Sequence, residues 1–305
     1  MEVKINRFLE DFSEDKKPLG FYLLGSMVVL IFSIIGQIPM FFFIPNEIST
    51  YSEGLDVFSS LDKNLLLLLL LLPSAFSFLG LWFVVKQIHF RSLISIITSR
   101  INIDFKRFGF AFILWSIISV SIFIIEILIS PTDYEWNFNF SKFLVLFFIS
   151  FIMIPIQSIV EELIFRGYLM QAFGILFKNR WIPLIFTAGI FGILHLWNPE
   201  IDKLGTELIW YYIGTGLFLG IITLMDDGIE LALGFHAANN LVTAILVTAS
   251  WTAFQTESIL IDNSEPSLGK ELFITLLIIY PILTIIFAKK YQWKNWKKQL
   301  LNSFG

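Results

Sequence analysis

The 305-residue sequence contains no cysteine and only three histidines, and charged residues make up just 15% of it. The first absence excludes structural disulfides and thiol catalysis. The second confines any imidazole chemistry to His89, His195 and His236. The third excludes a water-soluble domain of this length, which needs far more charge to cover its surface. A basic excess is missing too: the net charge of −4 is divided among the connections and points to no nucleic-acid partner. There is no HExxH signature, no internal repeat, no low-complexity linker and no second, soluble domain.

Apolar residues are abundant instead, at 56%. Runs of about 20 of them match a hydrocarbon core of about 30 Å at a helix rise of about 1.5 Å per residue. Eight such runs stand at 19–45, 64–85, 109–130, 143–160, 181–199, 208–225, 231–256 and 272–288. The alternating ten-residue segments of a transmembrane barrel are lacking. The pattern predicts an all-α, polytopic membrane protein of about eight transmembrane helices. Seventeen of the lysines and arginines fall on one side of that arrangement and four on the other. By the positive-inside rule the chain is expected in the cytoplasmic membrane with both termini cytoplasmic. The first run is too long for the h-region of a signal peptide and acidic residues precede it, so no cleavable signal is expected.

Residues 1–130 are expected to hold an interfacial helix (Ile5, Phe8, Leu9 and Phe12 at i, i+3, i+4, i+7) and three spans. Residues 131–305 hold the remaining spans and a basic tail. The basic segment 86–108, with Leu93, Ile96 and Ile97, and Trp293 and Trp296 among the tail lysines, suit headgroup anchoring; His89 is expected to be solvated in its loop.

Ionisable groups inside spans are costly and usually face a cavity or a partner. Besides Glu126 in the 109–130 run, they are Glu161, Glu162, Arg166, His195 and His236, with Asn240 beside them. Glu162 and Arg166 are i, i+4, with the acid N-terminal, the favourable order for an ion pair. Glu161 points about 100° away from Glu162, so it cannot share that pair equally. One glutamate neutralises the arginine and the other is left to face something else; such a carboxylate suits a general base at neutral pH. His236 and Asn240 share a face at i, i+4, and Phe191 sets an aromatic wall one turn from His195. Depth agrees for Glu161 and His195. His236 looks too shallow, only about five residues (~8 Å) past the "DDGIE" turn, unless that turn dips into the membrane to line a wet cavity.

These residues spell "EELIFR" (Glu161, Glu162, Arg166), "FGILH" (Phe191, His195) and "HAANN" (His236, Asn240). The three resemble, in order, the EExxxR, FxxxH and HxxxN motifs of the CAAX prenyl protease/bacteriocin-processing (CPBP, Abi) family of intramembrane proteases. The likeness spans roughly residues 140–250. It implies an eight-helix endopeptidase with a polar intramembrane cavity. Glu161 would activate water, His195 would help position it, and His236 and Asn240 would stabilise the oxyanion. Glu162 and Arg166 would brace the helix, with Phe191 alongside. The partners implied are membrane lipid and a membrane-bound peptide or lipidated protein substrate.

No cofactor is favoured. The alternative is a zinc enzyme with Glu161, His195 and His236 as two-His, one-carboxylate ligands and an open position for water. Outside hydrolysis, the same residues could form the proton relay of an ion-coupled transporter, or the packing of a non-catalytic scaffold or immunity protein. Transporters commonly repeat their polar residues in two halves. Here they cluster in one third of the chain.

Overall fold

The computed structural model describes residues 8–9, 17–44, 57–58 and 60–303. Its helices in chain order are α1 Leu19–Phe41, α2 Lys63–Phe83, α3 Phe105–Ile129, α4 Phe140–Glu162, α5 Met170–Phe177, α6 Trp181–Leu194, α7 Pro199–Leu204, α8 Ile209–Asp226, α9 Glu230–Leu246, α10 Lys270–Ile274, α11 Tyr280–Tyr291 and α12 Trp296–Leu301. π-helical turns extend α2 to Ile88, join α4 to α5 and join α10 to α11. The chain is therefore an all-α polytopic membrane protein.

Six helical stretches among the described residues are long and apolar enough to cross a membrane: Leu19–Phe41, Lys63–Ile88, Phe105–Ile129, Phe140–Phe177, Thr206–Asp226 and Leu272–Tyr291. The two other expected spans are shorter, 14 residues in α6 and 17 in α9. The physical reason is position. α9 packs against α3, α4 and α8, and its residues from Glu230 to Ala238 are buried in protein, so it needs no lipid-matching length. The run expected over 143–160 in turn continues to Phe177, because a π-turn carries the helix past Glu161 and Glu162.

Helix starts follow local chemistry. Asp62 accepts from the backbone N–H of Asn64 and Leu65, Asp104 from Lys106, and Asn139 from Lys142. Pro39, Pro73 and Pro155 lie within helices, as intramembrane neighbours permit. α9 approaches α3 closely: a Cβ on Gly234 would stand 2.2 Å from the Phe108 carbonyl oxygen. Only glycine fits there.

A small three-stranded sheet joins the connections around 134–136, 247–248 and 260–262, in the order β1-β3-β2. It pins the end of α9 to the loop before α4, since Trp136 pairs with Leu260 and Val247 pairs with Leu260.

Three expectations need correction. His89 is not solvated: it is 2% exposed, its Nε2 lies 2.9 Å from the Tyr168 hydroxyl, and its ring packs on Tyr22. Segment 86–108 does more than anchor headgroups. Arg100 pairs with Asp226 at 3.2 Å and with Glu230 at 3.1 Å, and Arg107 pairs with Asp226. Trp293 donates to Asp226 at 2.9 Å. The interfacial helix around Ile5 and Phe12, and most of the 46–63 connection, lie outside the described residues; Phe8 and Leu9 are fully buried in the core beside Tyr22 and Leu81.

These contacts also cover the turn that precedes His236. The α8–α9 turn is roofed by protein, with Ile229 donating to the Ile97 carbonyl at 2.8 Å and Ser99 to that of Asp227 at 3.1 Å. In the turn itself, burial pushes the Asp227 carboxyl up to about 7 despite the opposing pull of Arg100 and Arg180.

Candidate active site

α4 carries the carboxylates at its C-terminal end, where the α-helix gives way to the π-turn Leu163–Leu169. Such turns re-aim side chains and recur at functional sites. The two neighbouring glutamates have opposite surroundings. Glu162 is fully buried, and its Oε1 accepts from Arg166 Nη1 at 2.8 Å. Arg166, equally buried, also donates to the Gly216 carbonyl at 3.3 Å and lays its guanidinium 4.5 Å from the Phe191 ring centre. A buried cation in that position has one counter-charge and an aromatic face around it. Glu161 keeps 27% of its side chain accessible.

α9 brings His236 between the two acids. Its Nδ1 lies 2.8 Å from Glu162 Oε1, and its Nε2 lies 3.7 Å from Glu161 Oε2. An ionised carboxylate only accepts, so Nδ1 carries the proton and Nε2 is turned toward Glu161. A separation of 3.7 Å is too long for a direct hydrogen bond and short enough for both groups to touch one water molecule.

One turn further along α9, Asn240 donates to Gln157 Oε1 at 3.0 Å and to Ser158 Oγ at 3.3 Å. Gln157 in turn donates to Glu161 Oε1. Asn239 continues the chain outward, donating to Asn240 Oδ1 at 3.1 Å and accepting from Trp115 Nε1 at 3.1 Å.

His195 stands at the C-terminal end of α6. Its Nδ1 lies 2.6 Å from the Phe191 carbonyl oxygen, which only accepts, so this nitrogen is the N–H and Nε2 is left to face outward. The imidazole is stacked on Tyr212 at 4.2 Å and touches Phe191 at 4.4 Å.

The structure thus brings Glu161, Glu162, Arg166, His236 and Asn240 into one contiguous polar cluster across 80 positions of sequence. His195 joins it through the ring of Phe191, which also faces His236 and Arg166, and no direct contact of His195 with Glu161 or His236 occurs among the described residues. Sequence reasoning missed Gln157, Ser158 and Tyr212. The spacing of Gln157, four residues before Glu161 in an otherwise apolar run, was the available signal.

A zinc site here would need Glu161, His195 and His236 around one point. The Nδ1 atoms of both histidines are occupied by oxygen acceptors, an orientation that metal-ligating histidines share. Yet among the described residues no three His, Asp or Glu side chains come together closely enough to hold a metal ion. Glu161, His195 and His236 form no such group among the described residues.

An apolar cavity of about 670 Å³ lies elsewhere, lined by Phe78, Ile94, Ile97, Phe108, Ile159 and Leu233 among others. Ile156, also in its lining, points about 140° away from Glu161 around α4, so the cavity is not the chamber of the carboxylate.

The chain is similar to known proteins over the stretch that carries the polar cluster. The family model described as type II CAAX prenyl endopeptidase Rce1-like matches residues 140–242, a stretch that contains every residue of the cluster. The uncharacterized protein YyaK of Bacillus subtilis (strain 168) is 33% identical over 231 residues, covering 75% of this chain and 75% of that protein. No solved structure matches.

Proposed function

The chain belongs to the family of Rce1-like type II CAAX prenyl endopeptidases, and on that premise we propose that it hydrolyses a peptide bond of a membrane-associated or prenylated peptide with Glu161 as the general base. The family implies an intramembrane endopeptidase; the residue roles and substrate are our reading. One observation carries it: of two adjacent glutamates, Glu162 is sealed against Arg166, while Glu161 is accessible and faces His236 Nε2 at 3.7 Å.

In this mechanism a water held between Glu161 Oε2 and His236 Nε2 gives its proton to Glu161. Its oxygen attacks the peptide carbonyl carbon. Charge developing on the carbonyl oxygen is met by a side-chain N–H of Asn240, as oxyanion stabilisation requires. When the C–N bond breaks, the proton on Glu161 passes to the leaving amine, so that one water is consumed. Glu162 fixes the tautomer of His236, and Tyr212 and the Phe191 carbonyl hold His195 at the border of the chamber. The oxyanion role that the resemblance gives Asn240 requires it to give up the longer of its two bonds, to Ser158 at 3.3 Å, on substrate binding while the other N–H stays on Gln157. We propose a reaction without metal, and a cytoplasmic membrane location with both termini cytoplasmic, the latter supported by the lysine and arginine distribution.

The test is cleavage of a fluorescent farnesylated peptide by the detergent-purified chain. Wild type should cleave it, and His195→Ala should lower kcat/KM by about 10²-fold, the scale of a displaced positioning contact. No cleavage by wild type, together with proton-coupled uptake that His195→Ala abolishes in proteoliposomes, would identify a transporter instead.

A further inference from the structure

Glu161 has an accessible carboxylate on a helix, and a free carboxylate rotates about its last two bonds. A base that must face one water for attack needs something to stop that rotation. In this chain the constraint is built from Gln157. We propose that Gln157 is the positioning residue of the catalytic base: it fixes the plane of the Glu161 carboxylate so that Oε2, and not Oε1, faces His236. This rests on Glu161 being the base.

The geometry is specific. Gln157 is 9% exposed and sits one helical turn before Glu161. Its Nε2 donates to Glu161 Oε1, while the other oxygen, Oε2, is the one near His236 Nε2. The orientation of the amide is dictated by its neighbours. Its Oε1 accepts from Asn240 Nδ2 at 3.0 Å and from Ser158 Oγ at 3.2 Å. Flipped, it would turn its carbonyl toward a carboxylate and its amide toward the Asn240 amide donor, losing the bonds to both Glu161 and Asn240. Thus α9, through Asn240, locks Gln157, and Gln157 locks Glu161. The same asparagine face that carries His236 sets the orientation of the base on α4. The two halves of the water site are registered to one another by a single amide.

Nothing in that chain requires Gln157 to touch substrate. Its loss should therefore act on turnover, and chiefly through Glu161. The experiment is a kinetic double-mutant cycle with the farnesylated peptide, using Gln157→Met, Glu161→Gln and the double variant, with the thermal midpoint of each. Gln157→Met, which keeps volume and removes the polar contacts, should lower kcat about 10–100-fold, the range for loss of an outer partner of a reacting group, with KM within about twofold. In the Glu161→Gln background it should change the residual turnover by less than about twofold. Ser158→Ala serves where Gln157→Met fails to fold: it removes one of the bonds that fix the amide, and should lower kcat about 3–10-fold with the same dependence on Glu161. Unchanged kcat in both variants, or an equal fractional loss in the presence and absence of the Glu161 carboxylate, overturns the proposal while leaving Glu161 as base. Wild-type turnover in Glu161→Gln itself overturns the catalytic reading and this proposal together.

Discussion

Replacing Glu161 with glutamine is expected to lower kcat for peptide cleavage by about three orders of magnitude, within the 10²–10⁴ range of a lost general base. The thermal midpoint should stay within a degree or two of wild type. The substitution is conservative in every respect but one. Glutamine has the same length and retains a carbonyl oxygen that can accept from Gln157, as Glu161 Oε1 does. The side chain is partly accessible, so no buried charge loses its partner. What disappears is the ability to take a proton from water beside His236. A variant that melts normally and still cleaves within about tenfold of wild type would remove Glu161 from the mechanism.

Glu162→Gln is expected to do the opposite. It should destabilise the chain by about 3–5 kcal/mol, because removing one partner of a buried ion pair leaves the other charge uncompensated. Arg166 would then be a fully buried cation whose ion-pair partner is gone, met by neutral groups: the glutamine carbonyl, the Gly216 carbonyl and the Phe165 and Phe191 rings. Turnover per folded molecule should fall less than about tenfold, since the glutamine carbonyl can still accept from His236 Nδ1 and keep its tautomer. Denaturation in mixed micelles, with activity normalised to the folded fraction, separates the two effects. The reverse ordering, a stable but inactive Glu162→Gln and an unstable but active Glu161→Gln, would mean that the two adjacent acids exchange roles.

The contrast between these neighbours was legible from helical spacing alone. The i, i+4 relation of Glu162 and Arg166 and the different direction of Glu161 follow from 100° per residue. The all-α class followed from the long apolar runs. Contacts set by tertiary packing were not legible. His236 meets Glu162 across 74 positions, and no periodicity reports it. Segment 97–107 folds over the α8–α9 turn, so a helix that looked too shallow is buried under protein. His89 looked solvated because its loop is basic, while the partner that buries it, Tyr168, lies 79 residues away. α9 is polar for a span (Glu230, His236, Asn239, Asn240) because its surroundings are other helices, and hydropathy measures only fitness for lipid. Gln157 carried a local signal, but an amide in an apolar run has no evident role until Asn240 and Glu161 are placed on either side of it.

Metal content decides most directly whether the cluster works as described. The detergent-purified chain, assayed on the farnesylated peptide before and after exhaustive chelation and analysed for bound metal, should turn over at an unchanged rate with far less than one metal ion per chain. Activity that collapses on chelation and returns with one equivalent of zinc would contradict the account, since Glu161 and His236 would then be ligands and not the pair that holds and deprotonates the water.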